Sequence, residues 1–143
     1  IIFLSTSIQD SSPRVQYEAI QCIGRFASLY PASLQTLVTQ FLPPLTMIMQ
    51  HSGTCDRVRG HAASALINLL DPEACETAVL LPFLDPLLAA MVHTFQSASI
   101  EVQSPCLNLL GCIAKVSHEA FWPYYNMFMP GVKSILTSAS GPE

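Results

Sequence analysis

The stretch that follows Pro13 recurs twice, and this recurrence limits what the chain can fold into more than any other feature. Three valines anchor the copies, Val15, Val58 and Val102, spaced 43 and 44 residues apart. Four residues after each anchor stand Ala19, Ala62 and Cys106; five after, Ile20, Ala63 and Leu107; eight after, Ile23, Leu66 and Leu110; eleven after, Phe26, Leu69 and Ile113. Offsets of 0, 4, 8 and 11 share one face of an α-helix, so each copy predicts an amphipathic helix. The small side chain at offset four marks a spot where a second helix packs closely, because a methyl or thiol lets two backbones approach where leucine would not.

Three apolar stretches lie beside these helices, at 34–50, 78–95 and 121–136. Prolines interrupt each of them: Pro43 and Pro44, Pro82, and Pro123 followed by Pro130. Proline suits the first turn of a helix and is costly in its interior. Each stretch is therefore expected to hold a short helix, a break, and a second helix starting at the proline, with one more restart at about Gly131. No alternating β period is evident. The result is helix–turn–helix repeated about every 43–44 residues, the period of HEAT and armadillo arrays, roughly 40–47 residues. The expected fold is thus an all-α solenoid of about three helical hairpins, a single segment with units at about 1–31, 32–73, 74–118 and a partial 119–143. Ser11-Ser12-Pro13 predicts a helix start, and Gln50-His51-Ser52-Gly53-Thr54 a turn between helices. Pro105 falls three residues after its anchor, so the third helix either begins late, capped by Ser104, or carries a first-turn proline.

Composition fits an array better than a free-standing globule. Of 143 residues, 50% are apolar and only 11% charged, with a mean hydropathy of +0.41; globular chains average about 25% charged. Disorder is excluded. Units that bury faces against neighbours need few charges, so the chain reads as an interior segment cut from a longer protein, prone to self-association alone. It opens on Ile1 without the basic start of a signal peptide. The most membrane-like stretch, 77–92, contains Pro82, Asp85 and Pro86 and falls short of the roughly 20 apolar residues a span needs.

Net charge is -4 and the pI about 5.4. Arg14, Arg25, Arg57, Arg59, Lys115 and Lys133 are too few and too dispersed to follow a phosphate backbone, which argues against nucleic acid. Asp71, Glu73, Glu76 and Asp85 gather in one connecting region, either a solvated turn or a patch suited to a basic partner. Five cysteines without a C-x-x-C pair point to a reducing compartment.

No nucleophile motif, phosphate loop or metal-binding helix motif occurs, so no enzyme, cofactor or metal is expected. His51, Cys55 and His61 match no zinc spacing and lack a fourth ligand. Cys22 and Cys106, on the apolar face, read as inert core thiols. Phe121-Trp122-Pro123-Tyr124-Tyr125 reads as packing between repeats rather than as a ligand pocket. A polar stripe at offsets three, six and ten is the candidate partner-binding surface. It comprises Glu18, Gln21 and Arg25, then His61, Ser64 and Asn68, then Asn108 with Cys112. Stacked repeats would align these into a ladder, on the concave side if the second helices line it; otherwise they are the wet faces of amphipathic helices.

The run Asp56 to Leu70 resembles the second helix of a HEAT repeat, whose pattern is V-R-x-x-A-x-x-A-L. Arg59 matches its arginine, Gln16 and Gln103 replace it in the other copies, and Asp10 stands where the family has its turn aspartate. An inter-repeat ladder is thereby implied between Asp10 and Arg59 only. More specifically, Pro13-Arg14-Val15-Gln16-Tyr17, the Arg59 to Leu70 run, and Phe121-Trp122-Pro123-Tyr124-Tyr125-Asn126-Met127-Phe128-Met129-Pro130 are similar to segments of the importin-β (karyopherin) family, above all its β3-type importins. The resemblance spans about Asp10 to Leu136. It implies the central segment of a nuclear import receptor that shuttles between cytoplasm and nucleus, binds basic cargo, and is unloaded by Ran-GTP, mostly through parts outside this segment. It also implies outer grooves that accept Phe-Gly nucleoporins. The rival reading is a HEAT scaffold subunit of a stable phosphatase or chromosome-associated complex.

Overall fold

A computed structural model describes residues 2–139. The helices are α1 (Ile2–Ser7), α2 (Pro13–Leu29), α3 (Leu34–Gln50), α4 (Asp56–Leu69), α5 (Thr77–Ser97), α6 (Ile100–Ser117) and α7 (Tyr125–Ala139), with short 3-10 turns at Pro31–Ser33 and His118–Tyr124. Among the described residues there is no strand. The three copies of the repeat form α2, α4 and α6, which lie side by side, α4 touching both neighbours. A second layer is built from the intervening helices: α3 packs on α4 and α5, and α5 on α6. The chain is an all-α solenoid.

The shared apolar face is the reason the layers hold. Val58, Ala62, Ala63, Leu66 and Leu69 of α4 are fully or almost fully buried, as are Val102, Cys106 and Ile113 of α6. Ala62 and Cys106 sit where α4 meets its neighbours, as their small volume anticipates. Burial pushes the Cys106 thiol up to about 12 and the Cys75 thiol up to about 11, which removes thiolate chemistry from both. Helix α5 is long and apolar enough by length and composition to cross a membrane. Its apolar residues Leu80, Leu84, Leu87, Leu88 and Met91 are buried in the protein core.

The prolines do not break their helices. Pro43 and Pro44 lie inside a continuous α3, Pro82 and Pro86 inside α5, and Pro130 inside α7. Only at Pro123 does a 3-10 turn precede the next helix, which starts at Tyr125. The expected late start of α6 is also corrected: its N-cap is Ser99, so Pro105 sits well inside. A helical proline frees the carbonyl four residues earlier. Here those carbonyls belong to Thr39, Gln40, Ala78, Pro82, Glu101 and Asn126, every one an exposed residue. Exposure of these residues lets water take the place of the missing donor.

Candidate protein-binding surface

The first helix pair that shapes this surface is α2 against α4. Gly24 permits their close approach, since a Cβ there would stand 3.1 Å from Asn68 Nδ2 and 3.6 Å from the Ala65 backbone. Gln21, Gly24 and Arg25 of α2 and His61, Ser64 and Asn68 of α4 line a shallow groove of about 180 Å³. A second groove, about 520 Å³, runs along the α4–α6 seam and is lined by His61, Ser64, Glu101, Ser104 and Asn108 among others. Gly60 makes that seam tight: a Cβ would meet the Glu101 carbonyl oxygen at 3.0 Å. This is the carbonyl that Pro105 leaves without its helical donor.

Six of the eight stripe residues thus line two adjoining grooves that share His61 and Ser64. Glu18 lines neither; it borders a neighbouring cavity, although its charge acts on His61. Cys112 is half-buried and outside both grooves. The Ser64 hydroxyl donates to the Gly60 carbonyl at 3.1 Å, so its remaining capacity is as an acceptor. His61 stacks on Tyr17, ring centroids 4.1 Å apart, and the Arg57 guanidinium lies 4.7 Å over the same Tyr17 ring. Burial, reinforced by Arg57 and opposed by Glu18, holds the His61 imidazole below its ordinary value. Its Nε2 is buried without a hydrogen-bond partner.

Sequence reasoning missed Tyr17, Arg57, Gly60 and Glu101. Arg57 was findable, because it precedes His61 by four residues and so shares its side of α4. Tyr17 was not, since its role depends on how α2 is set against α4.

The Asp10–Arg59 ladder is corrected. Arg59, only 3% exposed, donates from Nη1 to Asp56 Oδ1 at 3.0 Å within its own helix, and from Nε to the Met49 carbonyl at 2.9 Å. Ser99, the N-cap of α6, also bonds Asp56, and together with Arg59 holds that carboxyl below the usual carboxylate range. Asp10 instead accepts the Ser12 amide at 2.8 Å, a local turn before α2. The arginine position has a different regularity. Gln16 Nε2 donates to the Ile8 carbonyl at 3.2 Å, and Gln103 Nε2 to the Phe95 carbonyl at 3.0 Å. In all three copies, the residue after the anchor valine bonds a carbonyl at or just beyond the end of the preceding helix. Glutamine serves as well as arginine because the acceptor is a backbone carbonyl, which needs a donor but no charge.

The acidic cluster is dispersed by its own partners. Asp71 accepts the Glu73 amide, Glu76 accepts from Gln35 Nε2, and Asp85 accepts from the Tyr124 hydroxyl. The aromatic run is packing at one end and surface at the other. Phe121 and Phe95 both flank buried Phe128, whereas Trp122 is 77% exposed and stacks on Tyr125. Among the described residues, no three His, Cys, Asp or Glu side chains gather as metal ligands would; His51 Nδ1 is 3.2 Å from the Thr54 hydroxyl.

Comparison with known proteins agrees with this architecture. The HEAT-like repeat family model matches residues 13–69. Importin subunit beta-3 of Saccharomyces cerevisiae is 30% identical over 129 residues, 90% of this chain and 12% of the relative. The crystal structure of Kap121p superposes with a TM-score of 0.85 at 31% identity, covering 96% of this chain and 13% of that one. Kap121p bound to RanGTP gives 0.80, and the karyopherin Kap121p bound to the SUMO protease Ulp1p gives 0.84, each at 31% identity over 94% of this chain and 13% of that one. The chain thus spans about an eighth of the length of these relatives. The period, the two layers and the sequence identity lead to the same place: the chain belongs to the HEAT-repeat proteins of the importin-β (karyopherin) family and is similar to the β3-type importins.

Proposed function

We propose that this chain is a segment of a nuclear import receptor and that the α2–α4–α6 surface binds protein cargo. The observation that carries this reading is the junction of the two polar grooves at His61 and Ser64, on a chain 30% identical to importin subunit beta-3. Gln21, Ser64, Asn68 and Asn108 offer neutral oxygens, and Asp56 and Glu101 add negative charge along the α4–α6 groove, a set suited to lysine or arginine side chains of a basic segment. Arg25 orients that segment by excluding its cations from one end of the α2–α4 groove. Units 1–31, 32–73 and 74–118 are the repeats that present this surface, on the concave side of the solenoid. Release is by Ran-GTP, acting mainly through parts beyond this segment, and passage between cytoplasm and nucleus uses Phe-Gly nucleoporins.

The test is a pull-down of basic localisation peptides by the full-length protein, with and without Ran-GTP. Each groove hydrogen bond contributes about 0.5–1.5 kcal/mol. Replacing Asn68 and Asn108 by alanine together is therefore expected to weaken capture about tenfold. Capture that ignores Ran-GTP and both substitutions would sink the reading.

A further inference from the structure

A cavity of about 540 Å³ lies beside the grooves, and two arginines line it where each groove has one. Arg14, Tyr17, Glu18, Cys55, Arg57 and Val58 line it. Two of the six basic side chains of an acidic protein therefore meet in one cavity. Arg57 is held there: its guanidinium lies 4.7 Å over the Tyr17 ring, which is itself stacked on His61. A guanidinium laid on an aromatic face keeps its edge N–H groups free for an oxyanion and loses little freedom on binding one.

The cavity also adjoins the first turns of α2 and α4, through Pro13 at one and Cys55, Arg57 and Val58 at the other. Neither N-cap, Ser12 or Cys55, makes a side-chain capping bond. Asp56 is paired with Arg59 and bonded by Ser99, whereas Asp10 accepts the Ser12 amide at the start of α2 and offsets the charge of that helix end. Two arginines, one glutamate and the start of α4, with roughly half a charge, leave about one and a half positive charges facing the cavity. A carboxylate supplies one negative charge, whereas a phosphorylated side chain carries about -1.5 to -2 at neutral pH with three strong acceptor oxygens.

We propose that this cavity receives the phosphorylated serine or threonine of a partner protein, with Arg14 and Arg57 as its ligands and Tyr17 holding Arg57 in place. The site adjoins the α4–α6 groove, with which it shares Tyr17 and Arg57, and a partner using it is recognised through its phosphate.

The experiment is a titration of the full-length protein, at low and moderate salt, with four probes. They are a short peptide carrying one phosphoserine, the same peptide with serine, the same with glutamate, and inorganic phosphate. The phosphoserine peptide is expected to bind at least about tenfold tighter than the others, a difference that shrinks as salt rises. Arg57→Gln and Arg14→Gln should each remove most of that preference, while Glu18→Gln should strengthen binding of the phosphoserine peptide. All three residues are exposed, and unchanged melting temperatures would show that the fold is retained. Arg57→Lys, which keeps the charge but loses the planar fork, should retain an intermediate preference. Equal binding of the phosphoserine and serine peptides, or a preference untouched by both arginine substitutions, overturns the proposal. Glutamate or inorganic phosphate binding as tightly as the phosphopeptide overturns it as well. Capture of basic peptides is read separately through the Asn68 and Asn108 substitutions, since neither residue lines this cavity.

Discussion

Helices α2 and α4 carry the same pattern but do not bury the same residues. The anchor valine of α4, Val58, is 1% exposed, while its counterpart Val15 is 41% exposed. Leu69 is fully buried, while Phe26 at the same offset is 44% exposed. Only the middle of the face behaves alike, with Ala19, Ile20 and Ile23 buried as firmly as Ala62, Ala63 and Leu66. The difference follows from neighbours: among the described residues, α4 is flanked by α2, α3 and α6, whereas the side of α2 away from α4 meets the six-residue α1. A repeat's core is therefore two half-cores, one made with each adjacent unit, and the edges of the face depend on what stands next to them.

The largest test of that contrast is truncation at the last offset. Leu69→Ala should cost about 2–5 kcal/mol, as loss of a fully buried leucine does, whereas Phe26→Ala should cost well under half as much despite removing a larger side chain. Thermal melts of both variants measure this, and equal losses would erase the distinction. Next comes overpacking. Ala62→Leu should cost about 1–3 kcal/mol, because Ala62 is sealed between helices. Ala19→Leu should cost less, since Ala19 borders a cavity of about 390 Å³ into which leucine can extend.

The two seams offer a finer comparison. Replacing a helical glycine by alanine gains about 1 kcal/mol of propensity. At Gly24 the new methyl meets the end of the Asn68 side chain, which can swing aside, so Gly24→Ala should be neutral or stabilising. At Gly60 it meets a backbone carbonyl that cannot, so Gly60→Ala should destabilise and separate α4 from α6. Denaturant midpoints will show whether the signs are opposite. The smallest effect is a pH dependence. His61 is lowered in the folded state, so its neutral form is favoured and its contribution is full above the unfolded value near 6.5. That contribution is lost as pH falls from there through the lower folded value. His61→Phe should flatten the fall in stability just below pH 6.5, and an unaltered profile would remove His61 from the account.

Much of this arrangement was legible in the residues themselves. The apolar offsets placed α2, α4 and α6, and the turn at 50–54 separates α3 from α4 as its glycine and serine imply. Six of the eight stripe residues share adjoining grooves because offsets three, six and ten lie on one side of a helix whatever surrounds it. The prolines were misread, since a local rule about helix interiors does not know which carbonyls face water. The Asp10–Arg59 ladder failed for a related reason. Arg59 sits beside its own Asp56, one helical turn away, and reaches Met49 across the turn, while Asp10 is held by the Ser12 amide before α2.

Periodicity alone determined that this chain is helical, repetitive and built on one shared face, because helical geometry converts spacing into direction without reference to the rest of the molecule. Tertiary structure decided the rest. It selected which edges of that face are covered and set Tyr17 against both the His61 ring and the Arg57 guanidinium. It also gathered two dispersed arginines into one cavity. These depend on contacts between residues about 40 apart, and the relative placement of two helices is fixed by packing at their seam rather than by the order of residues along either one.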